Sequence, residues 1–159
     1  MSNEEYLRRA TEIAMQSGCI RAKRGVVIVR QGTVLGESFN MPYPANGYCA
    51  AHGCLRDKLK LEMGKDVEKT RSIHAEALAI AEASKKGILL NGATIYVTCM
   101  PCINCAKLIV ASGMKEVFYI DLYGDRFGEL FLKQMGVRCE RIVPEGDKPE
   151  TRLRDTNGQ

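Results

Sequence analysis

Apolar residues recur at helical spacing in several parts of this chain. The first such stretch covers residues 6–14, behind a capping box of Ser2 and Glu5, and Gly18 is predicted to end this helix. A weaker helical pattern covers residues 54–63. Glycines also follow the other strongly periodic stretches, which are residues 74–86, 102–112 and 127–134. The pattern therefore predicts four well-marked helices.

Runs of β-branched and aromatic residues predict five strands. The first two flank Gln31-Gly32, and this arrangement indicates a β-hairpin. From residue 93 onward strands and helices alternate, which favours parallel crossovers. We therefore expect an α/β protein of three layers, α/β/α, with a mixed five-stranded sheet whose antiparallel part is the hairpin. The predicted strands are residues 25–29, 33–35, 93–98, 117–120 and 137–142.

The composition is that of one globular domain. The 159 residues are 45% hydrophobic and 26% charged, and no apolar run approaches the ~20 residues of a membrane span. The first five residues are polar and acidic, unlike a secretory signal, so we expect a cytoplasmic protein without a membrane partner. The net charge of +4 allows an anionic substrate without requiring one. We assign residues 1–143 to the domain and the polar residues 144–159 to a C-terminal tail.

Three residues have the chemistry and spacing of zinc ligands. The chain has seven cysteines, an odd number that argues against a disulfide framework, and Cys102 and Cys105 have C-x-x-C spacing. His74 is one of two histidines. All three lie at starts of predicted helices, where free N–H groups stabilise anionic ligands. One imidazole and two thiolates leave a fourth position on zinc for water, as in catalytic sites.

Glu76 is the predicted proton carrier of this site. It lies two residues beyond His74, where it can handle protons without binding the metal. An H-x-E motif and a P-C-x-x-C motif ~25–30 residues apart are the signature of zinc-dependent deaminases. In that chemistry water attacks an amidine carbon, and the carboxylate moves the water proton to the ring nitrogen and helps ammonia leave. Backbone N–H groups near Ala75 or Cys102 are candidates for holding the substrate.

Each motif has a simpler interpretation when it is taken alone. A C-x-x-C pair can be redox-active or can be half of a structural zinc site, and a histidine at a helix start can be a cap or a packed residue. The combination of both motifs with Glu76 and the preceding Pro101 favours a catalytic zinc.

Beyond the motifs, the chain is similar to the deoxycytidylate (dCMP) deaminase-like branch of the zinc-dependent deaminases over about residues 5–142. This resemblance implies a cytidine-deaminase-like fold, zinc, and a homo-oligomer between a dimer and a hexamer. It also implies hydrolysis of dCMP to dUMP with release of ammonia, and a contact between Asn40 and the sugar. The similar segments are residues 17–19, 25–29, 53–59, 71–76, 92–98, 105–109 and 113–117.

Several positions depart from the family's pattern. Ser38-Phe39-Asn40-Met41 replaces the usual Gly-Tyr-Asn-Gly, which argues against regulation by nucleoside triphosphates through this stretch. The usual Val-Gly-Ala is Arg24-Gly25-Val26, and Leu78 replaces an asparagine. Arg24 is either a solvated cation or a contact to a phosphate or carboxylate of the substrate. The motifs therefore predict the deamination reaction, whereas these departures leave the identity of the substrate open.

A second zinc ion is one interpretation of the remaining cysteines. Some family members hold a structural zinc with residues equivalent to Cys19 and Cys49, and His52 and Cys54 add candidates here. The linker cysteine of many relatives is Thr70 in this chain. The other interpretation is reduced cysteines beside a surface histidine.

Three classes of function follow from these observations. The first is a deaminase of dCMP, or of another aminated base, nucleoside or nucleotide. The second is a tRNA adenosine deaminase, but the modest charge argues against a nucleic-acid partner. The third is a zinc-binding interaction module, but Glu76 and the incomplete ligand set favour an enzyme.

Overall fold

The computed structural model describes residues 1–62 and 64–146, and its elements follow the predicted order. The helices are α1 (Asn3–Ala14), α2 (Tyr48–His52), α3 (Leu55–Lys58), α4 (Ala75–Lys85), α5 (Ile103–Ala111) and α6 (Phe127–Gln134), with a 3₁₀ turn at Val67–Lys69. The strands are β1 (Gly25–Arg30), β2 (Thr33–Phe39), β3 (Met41–Pro42), β4 (Ser72–Ile73), β5 (Thr94–Cys99), β6 (Glu116–Asp121) and β7 (Arg138–Arg141).

The main sheet is mixed and has the five predicted strands, in the order β2-β1-β5-β6-β7. β1 pairs antiparallel with β2 and β5, whereas β5, β6 and β7 pair in parallel. Gln31 and Gly32 have φ angles of 50° and 77°, as a tight primed hairpin turn requires. The expected fold class and the hairpin are therefore confirmed.

Alternation along β1 separates the two faces of the sheet. Val26 and Ile28 pack on one side with buried residues of α4, α5 and α6. Val27 and Val29 pack on the other side against α1. Because successive side chains of a strand point to opposite faces, this all-apolar run is covered on both sides. The structure thus has the three layers that the sequence predicts.

The first helix begins as predicted but ends earlier. Ser2 and Glu5 form the capping box, and the helix ends at Ala14 rather than at Gly18. Ser17 explains the difference, because its hydroxyl donates to the carbonyl of Asn40 at 2.6 Å and accepts from the N–H of Cys19 at 3.1 Å. These bonds tie the segment to the end of β2 and prevent helix continuation. The helix predicted from the weak pattern at residues 54–63 is likewise too long, since α3 covers only four residues.

A small second sheet was not predicted. β3 pairs antiparallel with β4, with Met41 opposite Ile73 and Pro42 opposite Ser72. Two-residue strands leave too short a pattern to recognise in sequence. This pairing places Asn40 and His74, at the ends of the two strands, in the same region.

Residues 147–159 of the predicted tail lie outside the described residues. Within the described part of the chain, helices are too short or too polar to cross a membrane.

Helix α6 packs closely on the loop that carries the cysteine motif. A Cβ atom on Gly128 would lie 2.0 Å from the carbonyl oxygen of Pro101. We expect Gly128→Ala to destabilise the fold by about 1–3 kcal/mol or more, because backbone atoms on both sides must shift. Urea unfolding measures this change, with Gly36→Ala as the control, since a Cβ there meets nothing within 4 Å. Equal stability of the two variants would contradict the close packing.

Candidate metal centre and substrate pocket

The structure brings His74, Cys102 and Cys105 together. His74 is the N-cap of α4, Cys102 is the N-cap of α5, and Cys105 lies in the first turn of α5. The Nδ1 atom of His74 lies 3.5 Å from the Sγ atom of each cysteine. Within residues 1–62 and 64–146, these three form the one group of histidine, cysteine or acidic side chains close enough to share a metal ion.

The distances fit a tetrahedral zinc ion. With Zn–S and Zn–N bonds of usual length, a nitrogen and a sulfur ligand on adjacent corners lie about 3.6 Å apart. The observed 3.5 Å agrees with this separation. One imidazole and two sulfur ligands are also a donor set that zinc prefers.

The fold places both ligand groups at one end of the sheet. Cys102 follows β5 through a short loop, and the N–H of Met100 in that loop donates to the carbonyl of Asp121 at 2.8 Å. His74 follows β4 directly. The N-termini of α4 and α5 therefore meet beyond the carboxyl end of β5, where parallel sheets commonly form their sites.

The electrostatics of the cluster favour a bound cation. Hydrogen bonds from Cys105 and His74 lower the pKa of the Cys102 thiol despite its burial. The hydrogen bond with Cys102 raises the pKa of His74. The hydrogen bond with Cys102 raises the pKa of the Cys105 thiol. The three ligand atoms thus share protons among themselves, and a metal ion would take the place of those protons.

Glu76 lies in the first turn of α4 and is buried, with 8% exposure. Burial raises the pKa of its carboxyl, and the neighbouring His74 opposes this shift. A carboxyl with a raised pKa beside a metal centre is suited to taking up and releasing a proton near neutral pH.

A single pocket joins the cluster to the predicted substrate residues. His74, Glu76 and Cys102 line it together with Asn40 and Ala75. The Asn40 side chain accepts from the N–H of residue 24 at 2.8 Å and donates to the carbonyl of residue 22 at 2.9 Å. Asn40 therefore holds the segment before β1 in place, and it also forms part of the wall.

Arg24 lines the same pocket and forms an ion pair within the chain. Its Nη1 atom lies 3.1 Å from Oδ2 of Asp121, which is 2% exposed at the end of β6. Sequence reasoning missed Asp121. Its position after a buried parallel strand was the available signal, since such strand ends face the site in α/β sheets.

The cysteines proposed for a second metal also reach this pocket. Cys19, Cys49 and Cys54 line it. Burial raises the pKa of Cys49, and the neighbouring thiols of Cys54 and Cys19 add to this shift. The ring of His52 packs against that of Tyr48, with centroids 4.3 Å apart. Their ligand atoms do not form a metal-binding group of the kind found at His74 among the described residues.

The pocket is also lined by three residues that the sequence did not predict as site residues, Arg56, Arg71 and Tyr123. The two arginines lie in the polar region between β3 and α4, where sequence shows only ordinary surface charge. Their place in the site depends on how that region folds.

Comparisons with known proteins agree with this site. Residues 1–121 match the family described as the cytidine and deoxycytidylate deaminase zinc-binding region. ComE operon protein 2 of Bacillus subtilis is 33% identical over 141 residues, which cover 88% of this chain and 70% of that protein. The deoxycytidylate deaminase of Mycobacterium phage D29 is 32% identical over 125 residues, covering 74% of this chain and 92% of that protein.

A solved structure shares the fold. The dCMP deaminase of cyanophage S-TIM5, in complex with dCMP and dUMP, has a TM-score of 0.69 and 25% identity, covering 87% of this chain and 95% of that one. The family match, the similar relatives, the fold and the geometry of the three candidate metal ligands thus all point to the same family. The chain belongs to the cytidine and deoxycytidylate deaminase family, whose members are zinc-dependent hydrolytic deaminases.

Proposed function

We propose that this protein converts dCMP to dUMP by zinc-dependent hydrolysis, with release of ammonia. The observation that carries the proposal is the His74–Cys102–Cys105 cluster with buried Glu76 in the same pocket. The substrate is supported by relatives named deoxycytidylate deaminase and by the similar cyanophage enzyme, which was solved with dCMP and dUMP.

His74, Cys102 and Cys105 would hold the zinc ion. When bound there, zinc acts as a Lewis acid that lowers the pKa of water to roughly 7. The three side chains contribute their ligand atoms from two helix N-termini, so the rigid start of each helix fixes the position of the site.

Glu76 moves the protons of the reaction. Its carboxylate takes a proton from the attacking water as the oxygen bonds to C4 of the cytosine ring, and it passes that proton to ring nitrogen N3. It then carries the second water proton to the amino group at C4. The C4–N bond breaks, C4 becomes a carbonyl carbon, and ammonia leaves. The raised pKa of Glu76 suits a group that must bind and release a proton in one cycle.

Asn40, Ala75 and Arg24 form the wall that contacts the substrate. Ala75 is 2% exposed and begins α4 beside the metal ligand His74, which places its backbone N–H in the first turn of the helix. Arg24 and Asn40 are joined by the hydrogen bond from the backbone of Arg24. The wall is thereby fixed before a substrate binds, which reduces the entropy cost of binding.

One zinc ion per chain is the number that the arrangement supports. The Cys19, Cys49 and Cys54 thiols are the candidates for a second ion, with His52, whose ring packs on Tyr48. Zinc content distinguishes the two numbers.

Assembly and location form part of the proposal. The outer face of α6 exposes Phe127 and Leu130, at 65% and 59%, which supports self-association. The proposed size of the homo-oligomer, between a dimer and a hexamer, is the one that the family resemblance implies. All seven cysteines are free, which supports action in the reducing cytoplasm. The deaminase domain is residues 1–143, and residues 144–159 are its tail.

The activity is tested by screening the zinc-loaded protein for ammonia release. We expect dCMP to be the best substrate among dCMP, deoxycytidine triphosphate, cytidine, cytosine, guanine and pterins, with dUMP as the chromatographic product. The reason is that the site combines deaminase chemistry with a pocket rich in arginine. Ammonia release from guanine or a pterin, but from no cytosine compound, would contradict the assignment of dCMP as substrate. It would still support hydrolytic deamination as the reaction.

A different aminated base is the second candidate. It is favoured by Arg24, which is paired with Asp121 and stands at a position where the family resemblance implies an apolar residue. The same screen decides between the two candidates.

A further inference from the structure

Four of the described arginines line the pocket, and they differ in whether a carboxylate of the chain neutralises their charge. They are Arg21, Arg24, Arg56 and Arg71. Because a guanidinium stays protonated in proteins, each brings a permanent positive charge to the site. The carboxylates that face each one therefore decide which is available to an anionic substrate.

Arg21 and Arg24 have carboxylate partners within the chain. Arg21 forms an ion pair with Asp57. Arg24 pairs with Asp121 at 3.1 Å, and Asp121 is almost completely buried. A phosphate that approached Arg24 would meet this fixed negative charge as well. Both arginines are thus neutralised before a substrate arrives.

Arg56 and Arg71 form no ion pair with any carboxylate of the described residues. The Nη1 atom of Arg56 donates to the carbonyl oxygens of Glu62 and Lys65, at 2.5 Å and 3.1 Å. The Nη1 atom of Arg71 donates to the carbonyl of Tyr43 at 3.4 Å. These neutral acceptors position the guanidinium groups without cancelling their charge.

Arg71 is held in a further way. Its guanidinium lies over the ring of Tyr48, 4.5 Å from the centroid. Stacking on an aromatic ring fixes the plane of the guanidinium and leaves the N–H groups at its edge for a ligand. Nη2 and Nε of this arginine have no hydrogen bond to a described residue, and the same holds for Arg56.

The position of Arg71 suits one end of a nucleotide. Arg71 precedes the metal ligand His74 by three residues, across the extended strand β4. Three extended residues span at most about 11 Å. A nucleoside monophosphate carries its phosphate at the end opposite the reacting amino group, so one molecule can reach both the metal centre and a cation at this distance.

We propose that Arg71 and Arg56 bind the phosphate of the substrate. This proposal rests on the proposed function, and it assigns the monophosphate specificity to the region between β3 and α4. A planar guanidinium recognises phosphate through paired N–H···O bonds, which explains why arginine suits this role.

The test compares dCMP with deoxycytidine, which lacks the phosphate. We expect Arg71→Ala to lower the ratio of kcat/KM for dCMP to kcat/KM for deoxycytidine by about ten- to a hundredfold, as loss of a charged hydrogen bond predicts. Arg56→Ala is expected to lower the ratio in the same direction. A general loss of structure would lower kcat/KM for both substrates by the same factor and leave their ratio unchanged.

One control removes the same charge outside the pocket. Arg30 is outside the pocket and donates to the backbone carbonyls of Leu89 and Asn91, so Arg30→Ala matches the backbone anchoring of Arg56 and Arg71. We expect Arg30→Ala to keep the wild-type ratio. An unchanged ratio in the Arg71 and Arg56 variants, or an equal fall in the Arg30 variant, overturns the assignment.

Binding of inorganic phosphate separates this proposal from the proposed function. Calorimetry on the zinc-loaded wild type and on Arg71→Ala needs no turnover, and we expect about tenfold weaker phosphate binding in the variant. Equal affinity would overturn the phosphate assignment even if dCMP is deaminated. Weaker binding in the variant, without deamination of any cytosine compound by the wild type, would support the anion site and reject the reaction.

Discussion

A Glu76→Gln variant is expected to bind zinc like the wild type and to lose about 100- to 10,000-fold in kcat. Glutamine keeps the size of the buried side chain and its capacity for hydrogen bonds, but it cannot carry a proton between water, ring and leaving group. Because Glu76 is 8% exposed, bulk water has little access to replace it. Steady-state ammonia release, with zinc content measured on the same sample, checks this expectation.

Glu82 provides a matched control on the same helix. Its side chain is 39% exposed, and it pairs with Lys85 at 3.0 Å. Glu82→Gln makes the same chemical change in α4 outside the pocket, so we expect wild-type kcat. A Glu76→Gln or Glu76→Ala enzyme that retains full turnover would exclude the proton-carrying role and the mechanism built on it.

Replacement of Cys102 by serine is expected to remove the zinc ion and, with it, activity. The proposed site has three protein ligands, so loss of one thiolate would leave two and lower zinc affinity strongly. Serine is a favoured N-cap residue, and Cys102 is the N-cap of α5. The helix start is therefore retained while the ligand is lost. Zinc per chain, measured by elemental analysis after dialysis, should fall from one to near zero.

Two other cysteines make this experiment specific. Cys139 is buried in the core at 8% exposure, and we expect Cys139→Ser to keep its zinc even if stability falls. Cys49→Ser tests the second metal, and we expect its zinc content to equal that of the wild type. A wild-type content near two ions, reduced by one in the Cys49 variant, would instead assign a second ion to that cysteine group. Zinc retained by the Cys102 variant would contradict the ligand assignment.

Much of the fold could be predicted because it is recorded in short-range patterns. The hairpin at Gln31-Gly32 was predicted because two strand-like runs flank this pair, and both residues adopt the positive φ of a primed turn. Helix α6 covers Phe127–Gln134, the range that periodicity indicates. The end of α1 was predicted wrongly, because it depends on Ser17 bonding to Asn40, 23 residues away. β3 and β4 were missed because their two-residue pairing carries no periodicity.

The sequence by itself determined the chemistry of this protein, and the tertiary structure decided how its charges are used. His74, Glu76 and the C-x-x-C pair could be identified because ligand type and spacing along helix starts are local properties. The partner of Arg24 could not, because Asp121 lies 97 residues away. The two side chains meet only because β1 and β6 flank β5, with the start of β1 and the end of β6 at the same end of the sheet. The same holds for Arg71, which forms no ion pair with a carboxylate of residues 1–62 or 64–146 only because of what packs around it. A cation in sequence can stabilise the fold or bind a substrate, and the distance to the nearest carboxylate, set by long-range packing, separates the two roles.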